Sequence, residues 1–104
     1  MKLVDLTGGA RVGYKNASWP FARLTASKKE LRLRVKLIGK YSFRPQDIEK
    51  LEVIKVLPLL GQGIRIHHNK ETYPSKIIFW SLSDPNQVLK AIEQAGILNR
   101  SVSN

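Results

Sequence analysis

The chain has 104 residues, with 18 lysines and arginines, 8 aspartates and glutamates and no cysteine, which gives a net charge of +10. This length corresponds to a single domain, and the absence of cysteine excludes a disulfide framework, a thiolate nucleophile and a thiolate metal site. No apolar run reaches the roughly 18 residues of a membrane span, and Asp5 interrupts the N-terminal run too early for a secretory signal, so the sequence predicts a cytoplasmic protein.

The basic residues are concentrated in one part of the chain. Ten of them lie between Arg11 and Arg44, where Glu30 is the single acidic residue. Such clustering is typical of proteins that meet an anionic partner, for example nucleic acid, phospholipid headgroups or an acidic protein. A charge excess that only keeps the protein soluble would give the same pattern, so both interpretations stay open.

The N-terminal part predicts two strands before the clearest one. Residues 7–18 are polar and carry Gly8, Gly9 and Gly13, which indicates a loosely packed strand with turns. Residues 21–26 alternate apolar and polar side chains. They are expected to pair with the following strand across a turn formed by the polar residues that come next.

The clearest strand covers residues 31–37, where apolar and basic side chains alternate without a break. A period of two predicts one buried and one solvated face. The predicted buried face carries Leu31, Leu33, Val35 and Leu37, and the predicted solvated face carries Arg32, Arg34 and Lys36.

The middle of the chain predicts shorter elements. A turn at 39–40 leads into a short strand at 41–43, and the proline that follows presets the backbone for a helical turn at 45–48. Residues 51–57 are again strand-like. Their apolar pattern shifts phase at Val53, which indicates either a bulge or burial on both faces.

The next segment predicts a hairpin and a central strand. Pro58 would end hydrogen bonding along the preceding strand, and residues 61–63 read as the tip of a hairpin. Residues 64–67 alternate once more, and a polar turn at 68–74 follows. Residues 77–80 are β-branched and aromatic, which favours a central strand.

The C-terminal part predicts the one long helix. Asp84 is the expected N-cap and Pro85 the first helical residue, while Gly96 is expected to end the helix. Residues 98–104 are expected to be frayed. The predicted apolar stripe consists of Val88, Leu89, Ile92 and Ala95.

These elements form six or seven antiparallel strands followed by one helix, which is a mainly β (α+β) fold in which the sheet curls and the helix closes its open end. One domain is expected over residues 1–104, with its core at about 17–97. The pattern resembles the pleckstrin-homology-like (PH-like) superfold, in the form of small bacterial PH-like domains. Five segments carry the resemblance, namely residues 19–21, 31–35, 45–48, 77–80 and 84–96.

The resemblance implies a seven-stranded barrel of two near-orthogonal sheets that serves as a binding scaffold. Some members bind phosphoinositides and many bind proteins. The lipid-binding members carry a lysine, a loop and then Arg-x-Arg, and Lys28 or Lys29 followed by Arg32 and Arg34 looks similar. The loop is much shorter here than in those members, which favours a protein partner.

A candidate anion-binding site follows from the charge pattern. Positioned lysines and arginines bind phosphates, and a strand face with basic turns on either side could bind a row of them. The alternative is a solvated face that is kept charged to prevent aggregation between sheet edges. The candidate residues are Lys28, Lys29, Arg32, Arg34, Lys36 and Lys40.

Other motifs indicate structure more than chemistry. His67 and His68 are neighbours on a strand and so point to opposite faces, which predicts one packed and one exposed histidine and no metal site. The glycines at 61–63 lack the helix and the lysine of a phosphate loop. Asp47, Glu49 and Glu52 read as turn-capping residues. The aromatic residues expected in the core are Trp19, Tyr41, Phe43 and Trp80.

The sequence therefore predicts a non-enzymatic binding or adaptor module with no cofactor. A protein partner is the first expectation, an anionic membrane surface or other phosphate-bearing ligand the second, and nucleic acid the third. Residues 77–80, or an edge strand, could also pair with a second copy of the chain if they were left unpaired.

Overall fold

The computed structural model describes residues 3–55 and 62–97. Within these ranges the protein is mainly β, as predicted, with seven strands in one antiparallel sheet and one C-terminal helix. The strands are β1 (Val4–Val12), β2 (Lys15–Ala26), β3 (Leu31–Val35), β4 (Gly39–Phe43), β5 (Ile48–Lys55), β6 (Gln62–His68) and β7 (Ile77–Ser81). A 3-10 turn spans Pro45–Asp47, and helix α1 spans Pro85–Ala95.

The sheet curls because its two edge strands follow one another in the chain. The strand order is β4-β3-β2-β1-β7-β6-β5, so β4 and β5 lie at opposite ends of the sheet. Only Arg44 and the 3-10 turn Pro45–Asp47 connect them. Such a short link forces the two edges towards each other, and the sheet becomes a half-barrel with one concave, apolar face.

Gly8 and Gly9 lie where strands approach most closely. A Cβ atom on Gly9 would lie 2.5 Å from the Trp80 indole nitrogen and 2.7 Å from the Ala17 carbonyl oxygen, and one on Gly8 would collide with the Trp80 carbonyl oxygen. The expected loose packing is therefore wrong for residues 8–12, whereas the expected turn lies at residues 13–14 and residues 14–18 are largely exposed. The glycines allow close packing of β1 against β7.

A bulge in β2 follows from this packing. The register runs from Gly8 opposite Ala22 directly to Ala10 opposite Ala17, so residues 18–21 of β2 face a single residue of β1. These residues leave the regular ladder and project from the sheet. The peptide bond between Trp19 and Pro20 is cis.

The concave face holds the core, and α1 packs over β1, β5 and β6. Val88, Ile92 and Ala95 are buried and Leu89 is half-buried, which confirms the predicted stripe. Asp84 accepts a hydrogen bond from the Asn86 backbone N–H (2.9 Å), and Gly96 ends the helix at φ 98°. The largest fully buried side chains are Phe43, Phe79, Leu24, Leu31, Leu33, Ile48, Ile66, Ile77, Ile92 and Ile97.

The loop after β6 covers the free edge of β4. The Ser42 backbone N–H donates to the Tyr73 hydroxyl (3.1 Å), and Lys70 Nζ donates to the Ser42 carbonyl oxygen (3.3 Å). The Tyr73 ring packs edge-on against Tyr41 and Phe43, with ring centres 5.1 and 5.5 Å apart. Side chains thus occupy backbone groups that an open sheet would leave for another strand.

Asp47 fixes the turn between the edge strands. It is 5% exposed, and its carboxylate accepts the Arg44 backbone N–H (2.8 Å) and the Arg44 side-chain Nε–H (3.2 Å). These hydrogen bonds from Arg44 lower the pKa of Asp47. The buried carboxylate is therefore held in its ionised form.

Two strand predictions, for Leu37 and Gln62, were wrong. The β3 strand ends at Val35, and Leu37 lies in the following turn with φ 67°, fully exposed instead of on the buried face. Of the two alternatives for the phase shift at Val53, burial on both faces holds, because Val53 and Ile54 are both half-buried and the register shift in β5 lies between Ile48 and Lys50. Gln62 belongs to β6 and pairs with Lys55 of β5, so Gln62 is not part of a hairpin tip.

Strand β7 pairs with β1 on one side and β6 on the other, so residues 77–80 are central and already paired. Of the two alternatives for pairing with a second copy, the edge strands, β4 and β5, are the one that remains. The predictions for Pro58, Gly61 and residues 98–104, and for the end of the strand at 56–57, lie outside the described residues.

We expect Gly9→Ala to lower the free energy of unfolding by about 1–3 kcal/mol, because the new methyl group must displace the Trp80 indole or the Ala17 backbone. Urea denaturation measures this. In a Trp80→Ala background the same substitution should cost less, since part of the obstruction is gone. Equal costs in both backgrounds would contradict the role given to the indole.

We expect Asp47→Asn to lower the free energy of unfolding by about 1–2 kcal/mol at pH 7, because the amide cannot accept all the Arg44 hydrogen bonds. The lowered pKa of Asp47 adds stability above the unfolded-state pKa of about 3.9, and this stability is lost as the pH falls through the folded value. Denaturation curves between pH 7 and acid should therefore converge for the two proteins. Asp84→Asn, which keeps a capping side chain, is the control.

Candidate binding surface

Two segments meet at one end of the sheet. The bulge at residues 18–21 lies beside the turn between β3 and β4, because the Lys36 backbone N–H donates to the Phe21 carbonyl oxygen (2.9 Å). The ammonium group of Lys36 lies 5.7 Å from the centre of the Phe21 ring, within range of a cation–π contact. The two segments therefore present their side chains together.

Three large apolar side chains are exposed in these two segments. Trp19 is 49% exposed, Phe21 47% and Leu37 99%. Single exposed apolar residues are common on protein surfaces, but neighbouring ones that form a patch mark a site of interaction. The prediction that Trp19 belongs to the core was wrong. Of the other aromatic residues expected there, Phe43 is buried, and Tyr41 and Trp80 are half-buried.

Leu37 also has an unfavourable backbone. Among the described residues it is the one non-glycine residue with a positive φ, at 67°. A branched side chain in the left-handed region costs about 1–2 kcal/mol, and a fully exposed leucine recovers none of this through burial. Folding therefore gives no reason for a leucine at this position.

Basic residues form a row beside the apolar side chains. In the sheet register Arg23 lies opposite Arg34, and Arg34 lies opposite Lys40, with all three exposed on the convex face. Like charges that face each other across strands are destabilising. Asp5 relieves this at Arg23, whose guanidinium donates to both carboxylate oxygens and lowers the pKa of Asp5.

The remaining cations of this end have no acidic partner. Within residues 3–55 and 62–97, no carboxylate forms an ion pair with Arg34, Lys36 or Lys40. Together with the exposed apolar side chains they form what we call the apolar–basic ridge. It consists of Trp19, Pro20, Phe21, Arg34, Lys36, Leu37 and Lys40. An open groove of about 620 Å³ runs along it, lined by six of these residues and by neighbouring backbone.

The six residues of the predicted anion site do not form one patch. Arg34, Lys36 and Lys40 belong to the ridge, although Lys36 lies in the turn and not on the strand face. Lys28 and Lys29 lie at the other end of β3, about 13 Å away for five residues of strand.

The other three predicted residues have different surroundings. Lys28 packs against Gly96 at the C-terminal end of α1, where a positive charge is favoured by the helix dipole. Arg32 donates to the Glu30 carboxylate (2.6 Å). Lys29 is exposed in the turn between β2 and β3. The ridge thus takes half of the predicted set and adds apolar residues that the charge pattern could not indicate.

Both histidines are half-buried, in contrast to the expected packed and exposed pair. His67 Nε2 lies 2.7 Å from Glu52, and this hydrogen bond lowers the pKa of the Glu52 carboxyl. His68 Nδ1 accepts the Lys70 backbone N–H (3.0 Å), so its Nε2 donates to the Pro74 carbonyl oxygen (2.9 Å). The two rings point to different partners, as the strand geometry predicts. In the described part of the chain no three metal-ligating side chains come together.

We expect Leu37→Gly to leave the free energy of unfolding unchanged or to raise it by up to about 1 kcal/mol, because glycine adopts a positive φ without strain and the leucine packs against nothing. Leu3→Gly removes another exposed leucine without relieving strain and should give no gain. Thermal denaturation measures both variants. A clear loss of stability in Leu37→Gly would show that the leucine serves the fold.

Comparison with known proteins identifies no relative from which a function could be inferred. The chain matches no protein family model, no curated protein and no solved structure. Among the described residues, no helix has the length and apolar character needed to cross a membrane. The functional argument therefore rests on the fold and on the ridge.

Proposed function

We propose that this chain is a PH-like binding module without catalytic activity, and that it binds an anionic partner through the apolar–basic ridge. The seven antiparallel strands and the helix that follows them support the PH-like assignment, because the resemblance implies this element order.

One observation carries the binding role. Arg34, Lys36 and Lys40 converge without carboxylate partners within the described chain, beside three exposed apolar side chains. The repulsion between like charges costs folding free energy, and the exposed apolar side chains gain none through burial. An anionic partner with an apolar component would relieve the repulsion and bury the apolar surface.

The surroundings of the carboxylates support a role other than catalysis. A general acid at neutral pH needs a raised pKa and room for a substrate. Here hydrogen bonds from Arg23, Arg44 and His67 lower the pKa of Asp5, Asp47 and Glu52, respectively. These groups are committed to ion pairs within the fold. The absence of cysteine from the sequence further favours work in the reducing cytoplasm.

We expect reversal of charge on the ridge to weaken binding to anionic probes more than the same reversal elsewhere. The test compares Arg34→Glu/Lys40→Glu with Lys28→Glu/Lys29→Glu, which change the net charge equally. The probes are phosphatidylserine-containing vesicles, a single-stranded oligonucleotide and a polyglutamate peptide, each titrated at several salt concentrations.

The wild-type protein should bind at least one probe with an affinity that falls as salt rises. The Arg34→Glu/Lys40→Glu variant should bind that probe about tenfold more weakly than the Lys28→Glu/Lys29→Glu variant, because only the first loses cations that contact the probe. Equal weakening would show that only net charge matters. A wild-type protein that binds none of the three probes would reject the proposal.

A further inference from the structure

We infer that the partner of the ridge is the surface of an anionic lipid bilayer, with Trp19, Phe21 and Leu37 in the interfacial layer and Arg34, Lys36 and Lys40 against lipid phosphates. This inference rests on the proposed function and names its partner. It follows from which side chains are exposed, how they are held together, and how the charges lie around them.

Phe21 and Leu37 line the same groove, and Trp19 lies two residues from Phe21 in the bulge. Trp19 and Phe21 come from the bulge in β2, whereas Leu37 comes from the turn after β3. The hydrogen bond from the Lys36 N–H to the Phe21 carbonyl oxygen joins the two segments. Because a backbone hydrogen bond already joins the segments, less ordering is needed when these side chains enter the interfacial layer, which lowers the entropic cost of binding.

Leu37 is the residue that favours a bilayer. Its side chain is 99% exposed and aliphatic, so it cannot stack on a nucleic acid base as Trp19 and Phe21 could. The groove beside it is open to solvent along its length and offers no deep pocket for a small ligand. A fully exposed leucine at the tip gains most from a partner that is apolar over a broad area.

The charges around the tip match a lipid headgroup layer. Tryptophan is enriched at the membrane interface, where its ring is apolar and its N–H remains hydrated. Lysine and arginine beside such residues keep their stems along apolar surface and their charged ends among phosphates. Lys36 has such a position, because it is adjacent to Leu37 in the chain and its ammonium group lies close to the Phe21 ring. Basic residues at that depth favour anionic over zwitterionic lipids.

The test uses vesicles of phosphatidylcholine, alone or mixed with phosphatidylserine, and measures both binding and depth. Sedimentation gives the partition coefficient. Tryptophan fluorescence and quenching by lipids brominated on the acyl chain report whether a tryptophan enters the bilayer. The protein has two tryptophans, so Trp19→Phe assigns the signal.

We expect binding to the mixed vesicles, a blue shift and quenching that both disappear in Trp19→Phe, and much weaker binding to phosphatidylcholine alone. Leu37→Asn should lower the partition coefficient about tenfold, because asparagine tolerates a positive φ but has no apolar side chain. Leu3→Asn is the matched control, since Leu3 is 75% exposed and lies near the turn at the other end of β3. Circular dichroism and thermal denaturation check that each variant folds.

Other outcomes separate this inference from the proposed function. Binding to mixed vesicles without a Trp19 signal and without an effect of Leu37→Asn would mean electrostatic adsorption, and the inference would be wrong. Salt-dependent binding to the oligonucleotide or the acidic peptide, but not to vesicles, would overturn the inference of a bilayer partner and leave the proposed anion-binding function standing. Failure with every anionic probe would overturn both.

Discussion

The close contact of Trp80 with Gly9 is the constraint on which the rest of the structure depends. The indole lies where a side chain of β1 would otherwise stand, so only glycine fits beneath it. The pairing of β1 with β2 breaks at this point, and residues 18–21 are left without partners in the ladder. Trp19 and Phe21 are exposed for that reason. The bulge also places the Phe21 carbonyl group where it fixes the turn between β3 and β4.

The positions of the few acidic residues determine which cations can bind a partner. Asp5, Glu30 and Asp47 each pair with one arginine of the basic segment. The exposed pairs of Asp5 and Glu30 contribute little to stability, so their main effect is to remove Arg23 and Arg32 from the set of available cations. The buried Asp47 also stabilises its turn. The cations that remain around the turn after β3 are adjacent in the sheet register. The clustering of charge in the sequence thus becomes a much smaller cluster on the surface.

The sequence was sufficient where structure depends on local interactions. The helix from Asp84 to Gly96 and the turn at Pro45 are set by capping residues and by proline, and both were predicted correctly. The bulge in β2 could not be predicted, because it results from Trp80, which is distant in sequence. Three of the seven ridge residues, Trp19, Pro20 and Phe21, were missed for the same reason. The end of β3 was missed because alternation continues unbroken into the turn.

Leu37 shows how such a failure can itself be informative. Its position in the alternating pattern predicts burial, and natural sequences mostly agree with the structure that they adopt. Here the pattern favours an apolar residue, whereas the backbone angle and the exposure both conflict with a branched, apolar side chain. Conflicts of this kind are expected at functional sites, where another interaction compensates for the loss in folding free energy. Under the proposed function, the neighbouring Lys36, which lacks a carboxylate partner among the described residues, supplies the charge for an anionic partner, and Leu37 supplies the apolar contact.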